Sequence, residues 1–174
     1  MTTIQFTALP TDVVRAYQNG TPDANNQPPE QHISTGSGTP CRHCLHPIAA
    51  GEPYLVLAHR PFPALQPYAE VGPIFIHAQA CSRYEDVEGE VEVEGETAVI
   101  PPILESEQYI VRGYNSQDRI IYGTGQIVET ANIPQYAAQL LTRDDVAYLH
   151  IRSATNNCFQ CQIDNTVPDK KADS

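Results

Sequence analysis

The pair Cys41 and Cys44, separated by two residues, most constrains what this chain can fold into. Two thiolates at this spacing can bind one metal ion from a single tight turn. His77 and Cys81 follow later in the chain and offer an imidazole and a third thiolate. Zinc prefers such ligands in a closed tetrahedron. The sequence therefore predicts that Cys41, Cys44, His77 and Cys81 converge on one zinc ion.

Other interpretations of the same residues stay open. His43 and His46 lie close to the same turn and compete for the ligand role. The cysteines could also be reduced thiols without a metal, or the Cys41 and Cys44 pair could be redox-active. A redox pair is usually presented by a helix N-terminus, and Pro47 interrupts any helix that would do so here. The spacing thus favours zinc over redox chemistry.

The charge of the chain argues against two classes of partner. Ten lysines and arginines stand against twenty-one acidic residues, which gives a net charge of −11. Binding to nucleic acid depends largely on cationic side chains that neutralise phosphates, and anionic membrane surfaces attract the same side chains. We therefore expect no nucleic-acid and no membrane partner, and a protein or a small molecule remains.

Length and cysteine content indicate a cytoplasmic protein of one domain. The 174 residues fit a single domain, 1–174, that can bury a core without disulfides. No apolar stretch is long enough to cross a bilayer, and the N-terminus lacks the pattern of a secretory signal. Five cysteines, an odd number, indicate reduced thiols in the cytoplasm more than a disulfide framework.

The pattern of apolar residues predicts an α+β fold. Strands and helices are mixed without a regular βαβ alternation, which favours a largely antiparallel sheet with two or three short helices and a Cys/His loop site. The predicted strands are 3–7, 54–58, 73–76, 109–114, 119–128, 146–152 and 158–163, and the predicted helices start near Thr11 and at Pro134.

Three polar segments are predicted to lie outside the core. Residues 21–40 are rich in Asn, Gln, Pro, Gly and Ser, which is typical of an exposed loop. Residues 85–96 alternate acids with valines, which indicates a solvated edge strand. Residues 165–174 are expected to form a disordered tail.

A second group of residues is a weak candidate for catalysis. If 146–152 and 158–163 pair as a hairpin with Leu149 and Phe159 on one face, Cys158 lies opposite Arg152 on a polar face that also carries His150. A thiol beside a guanidinium is partly ionised and hence nucleophilic. An ordinary half-exposed thiol on a polar strand face remains the favoured interpretation of Cys158.

The chain resembles two groups of proteins. The order of Cys-x-x-Cys, a strand that starts near Gly51 and Glu52, and a strand that ends in His77 before a helical turn with Cys81 is similar to treble-clef zinc fingers. Departures from that pattern are the three residues between His77 and Cys81 and the presence of Leu45 where a small residue is usual.

A second resemblance extends from about Thr39 onward. The residues that carry it are 40–45, 51–52, 60–62, 67–70, 72–77, 81–84, 112–114 and 118–119. In these segments the chain resembles the bacterial domain-of-unknown-function family numbered 1203, which implies a bacterial cytosolic protein but no activity, cofactor or substrate.

Two functions are compatible with these observations. The first is a zinc-stabilised module that binds a protein or a small ligand and has no affinity for nucleic acid. The second is a small enzyme, either thiol-dependent through Cys158 or dependent on a zinc ion with an open coordination position.

Overall fold

The computed structural model describes residues 3–84 and 99–165, and these residues confirm the predicted α+β class. Strands and helices are mixed along the chain, and every pairing between neighbouring strands is antiparallel. The elements are β1 (Ile4–Thr7), α1 (Thr11–Gln18), β2 (Glu30–Ile33), β3 (Pro53–His59), β4 (Gly72–His77), β5 (Gln108–Tyr114), β6 (Gln126–Glu129), α2 (Ile133–Leu141), β7 (Tyr148–Ser153) and β8 (Phe159–Asn165), with a short 3-10 turn at Thr130–Asn132.

The larger sheet has the strand order β1-β8-β7-β5-β6. Alternate residues of its strands, such as Leu149 and Ile151 of β7, are fully buried on one face because successive side chains of a strand point to opposite faces. Helix α2 covers this face with residues spaced three and four apart, including Ile133 and Ala137. Pro134 lies in the first turn of α2, where backbone N–H groups have no partner within the helix. Proline has no N–H, so it is well suited to this position.

The smaller sheet has the order β2-β3-β4, and His77 is the last residue of its strand β4. Its inner face contributes Leu55, Leu57, Ile74 and Ile76 to a second apolar cluster, which also contains Cys41. Helix α1 lies against this cluster through its one fully buried residue, Val14. The two clusters together form the core.

A buried polar seam joins the two sheets. The Phe62 ring, from the segment after β3, lies 5.2 Å from the His150 ring and 5.3 Å from the Tyr114 ring of the larger sheet. Arg42, which is 2% exposed, donates from Nε to the backbone carbonyl of Phe159 at 2.8 Å. Buried polar groups are tolerated when they are hydrogen-bonded, so these contacts fix how the sheets meet.

Several predicted boundaries need correction. Strand β2 lies within residues 21–40, where a loop was predicted. The strand gave no sequence signal, because all four of its side chains are exposed and show no apolar alternation. The predicted strand 119–128 is reduced to β6 at 126–129, since a turn at 122–123 interrupts it. The predicted tail 165–174 starts one residue too early, since Asn165 is the last residue of β8. The acidic segment 85–96 and residues 166–174 lie outside the described residues.

Candidate metal centre

The first half of the site is a tight turn that begins at Cys41. The N–H of Leu45 donates to the Cys41 carbonyl at 3.0 Å, and the N–H of Cys41 donates to the His46 carbonyl at 3.0 Å. Leu45 has a φ of 53°, a left-handed conformation that costs a residue with a side chain about 1 to 2 kcal/mol. Its side chain is fully buried in the larger core cluster, which contributes about 1.5 to 3 kcal/mol and offsets that cost.

The second half of the site comes from the end of β4 and the segment after it. His77 is the last residue of β4, and Cys81 lies in the irregular segment 78–84. The predicted helical turn around Cys81 is wrong, because 78–84 contain no helix. Helix α1 holds this segment instead: Arg15 donates to the Cys81 carbonyl and Gln18 donates to the His77 carbonyl, each at 2.9 Å.

These two halves bring the four predicted ligands together. One ligand atom from each of Cys41, Cys44, His77 and Cys81 lies within 4.8 Å of the others. The Sγ atoms of Cys41 and Cys81 are 3.9 Å apart, and Sγ of Cys44 is 3.6 Å from Nδ1 of His77. Ligands of a tetrahedral zinc are about 3.3 to 3.8 Å apart for bonds of about 2.0 to 2.3 Å. The cluster therefore fits one tetrahedral ion after a small contraction.

Glu52 orients the imidazole of His77. Its Oε2 atom lies 3.3 Å from Nε2 of His77, and an ionised carboxylate can only accept a hydrogen bond. An imidazole that donates from Nε2 to Glu52 can present the lone pair of Nδ1 to a metal ion beside Cys44 once Nδ1 has lost its proton. A carboxylate behind a histidine ligand is the usual support of a zinc-binding imidazole.

His43 supports Cys81 and is not one of the four grouped ligands. Its Nδ1 lies 3.1 Å from Sγ of Cys81, and its Nε2 lies 2.9 Å from the Thr11 hydroxyl. When that hydroxyl donates to Nε2, Nδ1–H donates to the Cys81 sulfur. His46 is exposed, and its Nδ1 lies 2.8 Å from the Cys44 carbonyl. Neither histidine replaces His77 in the group.

The thiols share protons among themselves. The pKa of Cys41 is lowered because the Cys44 and Cys81 thiols donate hydrogen bonds to its thiolate. The hydrogen bond that Cys44 donates to Cys41 raises the pKa of Cys44 to about 11. The hydrogen bond that Cys81 donates to Cys41 likewise raises the pKa of Cys81. Hydrogen bonding to Cys41 raises the pKa of His77 as well. A metal ion must displace these protons, so its affinity decreases as the pH falls.

The structure does not support the predicted catalytic setting of Cys158. A bulge between Ile151 and Arg152 shifts the pairing, so Arg152 lies opposite Phe159 and Cys158 precedes β8. The expected exposed polar face is also wrong, because His150 is 0% and Arg152 2% exposed. Arg152 pairs with Glu70 and donates to Nδ1 of His150 at 3.2 Å.

The second cysteine pair does not join the metal cluster. Sγ of Cys158 contacts the Asn156 carbonyl at 3.8 Å, and Cys161 is fully buried in the core cluster of the larger sheet.

Sequence reasoning identified the four residues that cluster but not the residues around them. The supporting side chains are Thr11, Arg15, Gln18, His43 and Glu52. The sequence analysis noted Glu52 only as part of a resemblance, and it noted His43 only as a competing ligand. Residues of α1 gave no signal, because their contacts span more than thirty residues of chain.

Fold and site together define an α+β protein with a Cys₃His cluster that could hold a metal ion. A family model described as protein of unknown function, DUF1203, matches residues 38–165, well over half of the chain. The chain therefore belongs to this family. Neither the curated proteins nor the solved structures include a match. Within the described residues, no helix has the length and apolar character needed to cross a bilayer.

Proposed function

We propose that the protein is a zinc-stabilised binding module in which the ion has a structural role. The observation that supports this most directly is the convergence of four ligand atoms to within 4.8 Å. Three thiolates and one imidazole form a complete tetrahedral set for zinc, whereas a catalytic zinc usually keeps one position for water.

The position of the cluster supports a structural role. Cys41 is fully buried, and the turn that it begins places Cys41 in the smaller core cluster and Leu45 in the larger one. An ion at this point would tie β4 and the segment 78–84 to that turn. Its binding free energy would then contribute to the stability of the folded protein.

The partner in this proposal is a protein or a small molecule. The net charge of −11 disfavours nucleic acid and anionic membrane surfaces. We place the protein in a reducing compartment, the cytoplasm, because the three cysteine ligands bind metal only as reduced thiolates.

Elemental analysis of protein purified without a histidine tag tests the zinc site. We expect about one zinc per chain, and a large loss of both zinc and melting temperature in Cys41→Ser. Cys158→Ser is the matched control, because Cys158 lies outside the cluster. Zinc far below one per chain, or a Cys41→Ser protein that keeps the zinc content and melting temperature of the wild type, would exclude a structural zinc.

X-ray absorption at the zinc edge separates a structural from a catalytic ion. A closed site gives three sulfur and one nitrogen neighbours at about 2.3 and 2.0 Å. An oxygen neighbour in place of one sulfur would contradict the structural role and favour a zinc-dependent enzyme.

A further inference from the structure

A second candidate site is lined by Tyr17 of helix α1, which is not one of the α1 residues that contact the metal cluster. An open cleft of about 310 Å³ is present between α1, the segment after it and the segment that follows β3. This is within the size range of small-molecule sites. The residues that line it are Tyr17, Pro22, Asp23, Ala24, Arg60, Phe62, Pro63, Ala64 and Leu65.

One wall of the cleft is held rigidly by Asp23. Its Oδ2 accepts the N–H of Ala58 in β3 at 2.9 Å, and its Oδ1 accepts the N–H groups of Asn25 and Gln27 at 2.9 and 3.0 Å. The Ala24 N–H also donates to the Ala58 carbonyl at 3.0 Å. The wall is therefore preformed, and both Asp23 oxygens are already engaged with backbone donors.

Arg60 is the cationic group of the cleft, and its guanidinium is largely uncommitted. Its Nε makes one long hydrogen bond, 3.4 Å, to the Ala69 carbonyl. No carboxylate among the described residues forms an ion pair with it. By contrast, the guanidinium groups of Arg42 and Arg83 donate hydrogen bonds of 2.7 to 2.8 Å to backbone carbonyls. Arg60 can therefore donate to a ligand without losing a strong bond.

The rest of the lining is mainly apolar. Pro22, Phe62, Pro63 and Leu65 surround the cleft, and the Leu65 side chain is 79% exposed. Phe62 is itself fixed by its ring contacts with His150 and Tyr114 at the seam between the sheets. A ligand here would meet one cation beside exposed apolar side chains, chiefly Pro63 and Leu65.

We propose that this cleft binds a small monocarboxylate with an apolar or aromatic body. Its carboxylate pairs with the Arg60 guanidinium, whose fork matches a carboxylate in a bidentate manner. The body of the ligand covers Pro63 and Leu65, which are exposed, so that their apolar surface leaves water. Asp23 in the same lining repels a second negative charge, so a monoanion is favoured over inorganic phosphate.

Amide-resolved NMR titration of the full chain tests this site. The probes are benzoate and isovalerate, with benzamide and benzylamine as uncharged and cationic counterparts of benzoate, and with inorganic phosphate as a dianion. We expect the acids to shift the amides of 22–24 and 60–65. Benzamide, benzylamine and phosphate should bind roughly tenfold or more weakly, because each loses the charge-assisted bond or the apolar contact.

Matched variants assign the effect to Arg60. Arg60→Gln should weaken benzoate binding by roughly tenfold or more, and Ala64→Trp should weaken it by filling the cleft while Arg60 remains. Arg143→Gln is the control, since Arg143 is exposed, pairs with Asp145 and lies outside the cleft. The NMR spectrum of each variant reports whether it is folded.

Several outcomes would overturn this site. They are no shift from either acid at millimolar concentration, equal binding of benzamide or phosphate, and unchanged benzoate affinity in Arg60→Gln. None of these outcomes affects the zinc measurements, so the two sites can fail independently.

Discussion

The orientation of one imidazole determines how well His77 can serve as a ligand. Glu52 fixes the proton on Nε2 at a distance of 3.3 Å, so that Nδ1 faces Cys44 at 3.6 Å. A carboxylate in this position holds the ring and raises its basicity as a ligand.

We expect Glu52→Gln to weaken zinc binding by about 10- to 100-fold, because such partners typically contribute that much to metal affinity. Competition with a chromophoric zinc chelator measures the change. Glu107→Gln, at an exposed position away from the cluster, should leave the affinity unchanged. An equal affinity in Glu52→Gln and the wild type would show that Glu52 does not support His77.

Leu45 combines a left-handed backbone with a fully buried side chain. Both Leu45→Ala and Leu45→Gly remove the buried side chain, at a cost of roughly 2 to 5 kcal/mol. Glycine adopts positive φ freely, so Leu45→Gly should be about 1 kcal/mol less destabilising than Leu45→Ala. Urea unfolding measures both. The opposite order would show that the backbone at residue 45 is not strained.

At the scale of elements, helix α1 acts as a brace for the second half of the site. It contributes only one fully buried residue to the core, but its polar side chains reach three parts of the cluster. Thr11 contacts His43, Arg15 contacts the Cys81 carbonyl, and Gln18 contacts the His77 and Gln79 carbonyls.

We expect Gln18→Ala to lower the free energy of unfolding by about 1 to 3 kcal/mol, because two backbone carbonyls lose their donor. The zinc should also dissociate faster, since the segment that carries Cys81 is less restrained. Stopped-flow transfer of zinc to a chelator measures the rate. Gln135→Ala, on the exposed side of α2, is the control. If both variants release zinc at the wild-type rate, α1 does not restrain the site.

The elements show where sequence reasoning succeeds and where it stops. The ligand set could be predicted because Cys-x-x-Cys spacing is a local property, and β3, β4, α1 and α2 could be predicted from apolar periodicity. Strand β2 could not, since its side chains are all exposed. The position of Cys158 could not either, because a bulge between Ile151 and Arg152 changes the register and bulges have no simple sequence signal.

For the whole molecule, two buried histidines make stability depend on pH. Burial lowers the pKa of His59 to about 4, from an ordinary value of 6.5, and it also lowers the pKa of His150. The unfolded chain therefore binds more protons than the folded protein between these values. Stability is full above about pH 6.5 and decreases as the pH falls toward 4.

His59 alone should account for a loss of about 2 kcal/mol between pH 7.5 and pH 5. The Tyr17 hydroxyl lies 3.0 Å from Nδ1 of His59, and the side chain in His59→Gln keeps an acceptor for it. In this variant the loss of stability between the two pH values should be smaller by about 2 kcal/mol. Urea unfolding of both proteins at the two pH values measures the difference, and any contribution from zinc release cancels between them. The same loss in both proteins would exclude a buried neutral His59.

The brace formed by α1 has a practical consequence for where the chain can be cut. The family match begins at residue 38, yet Thr11, Arg15 and Gln18 hold the site from outside that segment. A truncated chain that starts at residue 38 would keep all four ligand side chains but lose the hydrogen bonds that restrain the backbone of two of them. It would also lose β1, which pairs with β8. The minimal unit for expression therefore starts before Ile4.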